Sequence, residues 1–519
     1  MIHSAQNAAL PHWWRVAQGA MVALLVFTAS TVRAQAPGTL DTATFGGGTG
    51  INTVIMSFGS DGWRGVAVQP DGKIVAAGFC RSPSLKQFCL ARFATNGSLD
   101  TTFGTGGKQI TDIGTADAAA VGLSLQADGK IVLAGSCGAS NAAVFCAARY
   151  LTTGALDTSF GVSGIAIAPA VGGITNAVAS AMAQQGDGKI VVSGTCGTTT
   201  TRYCAGRFTA AGALDTSFAS VGVVATVVGS ASSNANAMAL QPDGAVVVGG
   251  QCTHPTIGSF PFCVVRYTSG GSLDASFGSG GIYFAFPNFG DTSGEFLLAL
   301  ALQPDGKIVM GGQCNMSVTG PDFCLARLTT AGVLDTTFGN AGKATLALSP
   351  ANGVDHMRSL QVMPDGRIVS AGGCADTNGT YNMCISRHNP DGSIDTTFGT
   401  GGKTITAHSS VEDIALASAM QTDGKLLFAG HCVSDTVLNA HYCLARYHGG
   451  PFGYRNCTLD VDGDGRVLAT TDALIHARIA LGMTGAAVTN GITFGPNATR
   501  TTWSALRTHL ITQCGMTLP

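Results

Sequence analysis

Residues 97–151 read GSLDTTFGTGGKQITDIGTADAAAVGLSLQADGKIVLAGSCGASNAAVFCAARYL. After a Gly-rich turn, residues 108–113 form a short apolar–polar stretch that predicts a strand. Residues 119–126 (AAVGLSLQ) alternate small or polar with apolar side chains, the period of a half-buried strand. Asp128-Gly129 marks a hairpin, because both residues tolerate the positive φ that primed turns demand. Residues 130–137 (KIVLAGSC) are a near-continuous apolar run, expected of a strand covered on both faces. Residues 145–151 (FCAARYL) supply a fourth strand. Four short strands are the size of one propeller blade.

The same unit recurs about every sixty residues. A Leu-Asp-x-x-Phe block starts at Leu40, Leu99, Leu156, Leu214, Leu273, Leu334 and Ile394, the first copy carrying one extra residue. Asp-Gly followed by an apolar run recurs at Asp71, Asp128, Asp187, Asp243, Asp305, Asp365 and Asp423. Cys-x-x-Arg ends at Arg92, Arg149, Arg207, Arg266, Arg327, Arg387 and Arg446. Seven copies of three blocks mark a solenoid or a propeller. Within the array Arg is followed by Asp eight residues later, from Arg92 and Asp100 to Arg387 and Asp395. Arg446 has Tyr454 at that spacing, and Asp41 has no preceding Arg. A ring would pair these two orphans; an open stack would not. The expectation is all-β: a seven-bladed β-propeller of four-stranded blades over residues 40–447. The repeated Asp, Phe and Arg residues read as blade framework, since turn chemistry and packing explain each type.

The blocks Gly97-Ser98-Leu99-Asp100-Thr101-Thr102-Phe103-Gly104, Gln303-Pro304-Asp305-Gly306-Lys307-Ile308-Val309 and Cys324-Leu325-Ala326-Arg327 carry a resemblance to the delta-60 repeat family of bacterial exported proteins. The resemblance spans about residues 40–450 and implies a propeller-like β fold. It brings no established reaction and no catalytic residues. The cysteine pairs are an addition to the bare repeat.

Those cysteines number sixteen. Seven pairs, Cys80/Cys89, Cys137/Cys146, Cys196/Cys204, Cys252/Cys263, Cys314/Cys324, Cys374/Cys384 and Cys432/Cys443, are each expected to join the end of a unit's third strand to the start of its fourth, clamping the loop between. Cys457/Cys514 brackets the C-terminal region. Regular even pairing points to disulfides in an oxidising compartment. His431 and His441 flank one pair, but the other copies lack such histidines, so metal binding is not the reason for the pairs. At the N-terminus, Arg15, the apolar residues 20–29 and Val32-Arg33-Ala34 read as a signal peptide over residues 1–34. The apolar run is too short to span a membrane. A secreted, periplasmic or cell-surface location follows.

A Gly-rich linker, residues 448–456, leads into a different region, residues 457–519. There Asp460-Val461-Asp462-Gly463-Asp464-Gly465-Arg466 sets carboxylates at positions 1, 3 and 5 of a tight turn with Gly at 6. That pattern suits calcium, which takes six to eight hard oxygen ligands. Asp460, Asp462, Asp464, Arg466 and Asp472 are the candidate ligands. Residues 473–481 and 503–511 read as short helices. The region resembles a dockerin repeat with an EF-hand-type loop, which implies calcium and, more remotely, a cohesin-type partner. It departs from that pattern at position 12, which is Thr471 with Asp472 one place later, and it has a single loop where dockerins have two.

Charged residues make up 11% of the chain and the net charge is −2. No basic footprint for nucleic acid exists. No G-x-S-x-G, H-E-x-x-H, P-loop or strand-to-helix G-x-G-x-x-G is present. Two function classes remain. One is a non-catalytic exported propeller binding a surface, glycan or protein ligand through segments that differ between copies, such as residues 253–262, 315–323 and 284–295. The other is a secreted glycan-active enzyme of glycoside hydrolase type, using two non-repeat acids such as Glu295 with Asp291 or Glu412 with Asp413.

Overall fold

The computed structural model describes residues 35–56, 62–170, 174–254, 260–285, 294–349, 353–433, 440–450, 461–462, 468, 470–480, 483–495 and 498–512. The signal-peptide expectation, Asp460, Asp464, Arg466, Asp291, Cys457 and Cys514 lie outside the described residues.

Strands form where the repeat predicts them, but sheet and repeat are offset by one strand. β1 (Ile51–Val54) is followed by β2 (Gly62–Val68), β3 (Ile74–Arg81), β4 (Lys86–Phe93) and β5 (Lys108–Thr111), and β2 to β5 pair in order as one antiparallel sheet. The short strand after each Leu-Asp-x-x-Phe block therefore belongs to the preceding sheet, as β5 pairs β4 through Leu90 and Gln109. The pattern repeats in β6 (Ala118–Leu125), β7 (Ile131–Cys137), β8 (Val144–Tyr150) and β9 (Ile165–Ile167), and in β10 (Val178–Gln184), β11 (Ile190–Cys196), β12 (Arg202–Phe208) and β13 (Val223–Thr226). It continues in β14 (Ser233–Leu240), β15 (Val246–Cys252), β16 (Phe262–Tyr267) and β17 (Ile282–Ala285), then β18 (Glu295–Leu302), β19 (Ile308–Met316), β20 (Gly320–Leu328) and β21 (Lys343–Leu346). The remaining strands are β22 (Asp355–Val362), β23 (Ile368–Ala375), β24 (Tyr381–His388), β25 (Lys403–Thr406), β26 (Glu412–Met420), β27 (Leu426–Val433) and β28 (Ala440–Tyr447). These, with β1, share one eight-stranded sheet.

The offset means that the last three strands need a fourth from elsewhere, and β1 provides it. Ile51 pairs with Ala445 and Val54 with Tyr442, antiparallel. Asp41 N–H donates to the Arg446 carbonyl at 2.8 Å, as Asp100 does to Arg92 at 2.9 Å within the array. The side chains repeat the match. Arg446 Nη2 lies 2.9 Å from Asp41 Oδ2, and Arg149 Nε lies 2.8 Å from Asp157 Oδ2. The orphans of the sequence are thus each other's partners.

Each repeated Arg does three jobs. It binds an Asp, eight residues on for all but Arg446, stacks over a repeat's Phe at 4.3–4.8 Å, and donates to a backbone carbonyl of the next repeat, as Arg92 Nη1 does to Thr152 at 2.6 Å. Arg446 makes the last contact with Thr95, in the turn that follows β4, at 2.5 Å. The Asp also caps its own turn: Asp157 Oδ1 accepts from Ser159 N–H and Oγ–H. The core lies between sheets. Val75, Ala77, Phe88 and Leu90 pack against Ile131, Leu133 and Tyr150, and Leu427, Ala429, Tyr442 and Leu444 pack against Trp63, Ile74 and Phe93. The second strand of each sheet is buried on both faces, as its apolar run demands.

A β-bulge interrupts the first strand of every sheet at one register, between Trp63 and Gly65, Ala120 and Gly122, Ala179 and Ala181, Ala235 and Ala237, Leu297 and Ala299, Met357 and Ser359, and Ala415 and Ala417. The neighbouring strand meets it with glycine. A Cβ on Gly135 would sit 1.9 Å from the Ala119 carbonyl oxygen, so nothing larger fits.

The seven repeat pairs are disulfides: Cys80–Cys89, Cys137–Cys146, Cys196–Cys204, Cys252–Cys263, Cys314–Cys324, Cys374–Cys384 and Cys432–Cys443. Their expected position, from the end of a third strand to the start of a fourth, shifts by one strand, and the register adds a detail that the spacing did not give. The one-strand offset makes the bridged strands the second and third of each sheet. The second cysteine also does not face the first. Cys89, Cys146, Cys204, Cys263, Cys324, Cys384 and Cys443 stand opposite Gly78, Gly135, Gly194, Gly250, Gly312, Gly372 and Gly430, whereas Gln87 is the residue opposite Cys80. The bulge requires those glycines, which have no side chain to bridge, so each disulfide runs diagonally to the cysteine two places along. Strand twist holds this diagonal at Cα–Cα distances of 5.7–6.0 Å, within a disulfide's reach.

Beyond the sheets, α1 (Asp472–Ala480), α2 (Ala486–Thr489) and α3 (Trp503–Thr512) gather around Val461, Ile475, Val488, Leu506 and Leu510, a separate small core. Among the described residues no helix is long and apolar enough to cross a membrane.

Candidate functional site

An extra residue in a strand breaks the two-residue alternation and re-aims one side chain. Here the bulged residues are Arg64, Val121, Ser180, Asn236, Leu298, Arg358 and Leu416. All seven line one hollow of about 680 Å³, whose walls are the first strands of the sheets. The hollow is therefore axial. The framework around it is repeated; the ring of bulged residues is not. Each stands seven residues before the Asp of the Asp-Gly turn. That spacing is the signal by which sequence alone would have exposed the ring.

The disulfide end of this channel is its most polar part. Arg64 lies 5.9 Å from the centre of the Phe79 ring, and Lys86 approaches the same ring at 5.1 Å. On the other side, His356 Nδ1 sits 2.6 Å from Gln313 Oε1, and His356 Nε2 sits 3.1 Å from Tyr381 Oη. With Gln313 placed as acceptor, Nδ1 carries the proton and Nε2 accepts from the tyrosine. Burial lowers the His356 pKa, and Arg358 lowers it further, so the ring is neutral near pH 7. Burial raises the Tyr381 pKa and Glu412 adds to the rise, so its hydroxyl keeps its proton. Glu412 Oε1 lies 3.3 Å from His431 Nε2. Burial lowers the Arg64 pKa, and the like charge of Arg358 adds to that.

The acids singled out from the sequence separate. Glu412 faces this mouth, but Asp413, the next residue on β26, projects to the opposite face. Asp413 is fully buried and accepts from the amides of His408 and Ser409 and the Ser409 hydroxyl. It caps a turn, as Asp355 does with Leu348 and Ser349, and does not meet Glu412 in a shared pocket. Glu295 is buried at the start of β18. A further hollow of about 890 Å³ lies among the short outer strands, with His408 and His441 on its wall. Its lining draws on two sheets at most rather than on all of them.

Of the candidate calcium ligands, Asp462 and Asp472 are described, and both are fully buried. Asp472 Oδ1 accepts from the amides of Val461 and Asp462 at 2.6 and 3.2 Å, and Oδ2 from Leu468 N–H at 2.9 Å and the Thr471 hydroxyl. Burial pushes its pKa up, but these donors outweigh that and hold it below the ordinary value, so it is ionised. These four donors, two on each oxygen, take up the lone pairs of the Asp472 carboxylate. Among the described residues no group of three or more His, Cys, Asp or Glu converges as a metal cluster.

A family model described as a domain of unknown function (DUF5122), beta-propeller, matches residues 69–103, 126–160, 185–218, 241–277, 303–338 and 364–398. With the sheet topology, this defines the class: the chain is an all-β, β-propeller repeat protein. No curated protein matches it. Among solved structures it is similar to virginiamycin B lyase from Staphylococcus aureus, at 11% identity over 76% of this chain and 98% of that one, with a TM-score of 0.41. It is similar to an ulvan lyase, at 10% identity over 76% and 96% with a TM-score of 0.43. It is also similar to Sqt1 from Chaetomium thermophilum, bound to the N-terminus of ribosomal protein L10, at 13% identity over 73% and 86% with a TM-score of 0.41. Likenesses of this size carry no argument about activity.

Proposed function

We propose that the chain is an exported, seven-bladed propeller of the delta-60 repeat type that binds a ligand, without transforming it, at the disulfide end of its axial channel. The blade count rests on the eight-stranded sheet, whose halves, among the described residues, are joined in strand pairing by the single parallel bridge between Tyr381 and Glu412 and otherwise pack face to face like neighbouring sheets. Counting those halves separately adds two blades to the five separate four-stranded sheets. Export rests on the leader pattern and on the seven disulfides. The C-terminal module is read as calcium-stabilised, on the strength of its loop motif.

One observation carries the binding role: seven residues at one repeated register face one cavity, and they range from Arg to Leu while the Arg, Asp and Phe of the framework recur in every copy. Residues kept in every blade serve the blade; those free to vary serve something else. A panel of glycans, peptides and surface polymers, tested against the folded protein and against an Arg64→Ala/Tyr381→Phe variant, checks this. The expected result is a ligand that the variant binds more weakly. Ligands unaffected by changes at this mouth would place binding elsewhere.

The second reading, a secreted glycan-active enzyme, is favoured by the Gln313–His356–Tyr381 chain beside Glu412, in which a base orients a hydroxyl and is itself oriented. Release of new reducing ends or unsaturated products from any bound polysaccharide, lost in His356→Ala, would favour this reading over binding alone.

A further inference from the structure

Seven arginines of the framework each lie against an aspartate, between 2.7 and 3.0 Å. Arg64 and Arg358 are different. Among the described residues neither has a carboxylate within ion-pairing distance, and both occupy the bulge register and line the channel. Their strands flank β26, whose bulged residue between them is Leu416, so an apolar side chain separates two cations. Glu412, whose charge acts on Arg358, is engaged with His431 at 3.3 Å. Both guanidinium groups are exposed to the channel, yet crowded enough by protein that burial and their mutual repulsion disfavour the charge of Arg64. Two like charges fixed by backbone bulges around an apolar spacer are costly unless an anion sits between them.

Resting on the binding role proposed above, we infer that Arg64 and Arg358 clamp the oxyanion of an acidic oligosaccharide, a uronate carboxylate or a sulfate ester, that enters the channel from the disulfide end. Along the wall, Ser180 and Asn236 donate to the Ala235 and Leu297 carbonyls and Ser359 bonds Ser418, which leaves their oxygens as acceptors for sugar hydroxyls, and Phe79 offers a ring face at the entrance. The volume of about 680 Å³ is of the size that takes a small ligand or the end of a glycan chain. Guanidinium groups suit planar carboxylate and sulfate geometry through paired N–H donors.

The test is calorimetry on the full folded chain with four probes of matched length: an oligogalacturonate, a sulfated oligosaccharide, a neutral oligosaccharide and polyglutamate. One or both acidic oligosaccharides should bind, the carboxylate and sulfate arms telling the two anions apart. Arg64→Gln and Arg358→Gln should each weaken binding about tenfold or more, Arg358→Lys less, and the double variant should abolish it, with melting temperatures unchanged. The clamp is overturned if no acidic oligosaccharide binds, if the double variant binds as tightly, or if polyglutamate or the neutral probe binds equally well. The two readings fail separately. A neutral ligand held at the mouth regardless of the arginines removes the clamp and leaves the binding role standing.

Discussion

Arg446→Ala is the most direct probe of how the chain ends hold each other. Arg446 is 3% exposed and Asp41 is 0% exposed. Truncation removes the contacts of Nε and Nη2 with Asp41 at 3.0 and 2.9 Å, the donation to Thr95 at 2.5 Å, the contact with Gln421 at 3.3 Å and the stack over Phe45 at 4.3 Å. It leaves a buried carboxylate with only Thr44, Lys425 at 3.5 Å and His448 at 3.7 Å for company. Breaking one side of a buried pair costs about 3–5 kcal/mol. Arg266→Ala removes the same kind of contact inside the array, but its pair is more exposed, at 12% and 20% of the side chains. Its expected cost is smaller, about 1–3 kcal/mol. Urea unfolding of both variants, and a double-mutant cycle of Arg446→Ala with Asp41→Ala, gives the comparison. The cycle should show a coupling of about 0.5–3 kcal/mol, because the partners touch. Loss below about 1 kcal/mol for Arg446→Ala, with additive behaviour against Asp41→Ala, would refute the idea that the two ends fasten the fold.

His388 follows Arg387 where other copies carry Phe93, Tyr150, Phe208, Tyr267, Leu328 and Tyr447. It is 3% exposed, its Nδ1 has no partner among the described residues, and burial pushes its pKa down to about 4. A depressed histidine pKa means the unfolded chain binds the extra proton first, so stability falls as pH drops from about 6.5 to 4 and is flat below, by roughly 2–4 kcal/mol. His388→Phe should raise the urea midpoint at pH 5 and flatten its pH profile in that window; an unchanged profile would discount the burial argument. Replacing Cys137 and Cys146 together by Ser should cost about 2–3 kcal/mol, the value for reopening so short a loop, read as a shift in urea midpoint. Calcium titrated into the metal-stripped full chain should raise the melting temperature of the C-terminal module, and Asp462→Ala should remove that rise. A chelator-insensitive melt would argue against the calcium reading.

The parts of the fold legible in sequence are those fixed by local chemistry and by copy number. Asp128-Gly129 had to turn, residues 130–137 had to be buried on both faces, and the unmatched Asp41 and Arg446 pointed to each other. The cysteine partners were legible from their spacing, but not the diagonal path from Cys80 to Cys89, which depends on Gly78 being claimed by the bulge. Other features were equally hidden. The assignment of Lys108–Thr111 to the preceding sheet depends on which neighbour takes its hydrogen bonds, and nothing in its own residues specifies that. The direction of Arg64 and Arg358 depends on a bulge, which cancels the alternation that pattern reading relies on. The separation of Glu412 from Asp413 follows from that same alternation, but the choice of face needed the strand's register. The Gln313–His356–Tyr381 chain joins three strands from two sheets, a meeting that no linear spacing records.

The pairing of β1 with β28 has a consequence for how the molecule is made. Strand β1 must keep its hydrogen-bonding groups idle until β28, with Tyr442 lying 388 residues after Val54 and Ala445 lying 394 after Ile51, has been synthesised. Late, long-range closure of this kind slows folding and ties success to possession of the whole chain. A product cut short anywhere in its later repeats keeps an unfastened strand at its beginning and a raw sheet edge at its end. Truncation should therefore show itself as aggregation, and not as a smaller working ring.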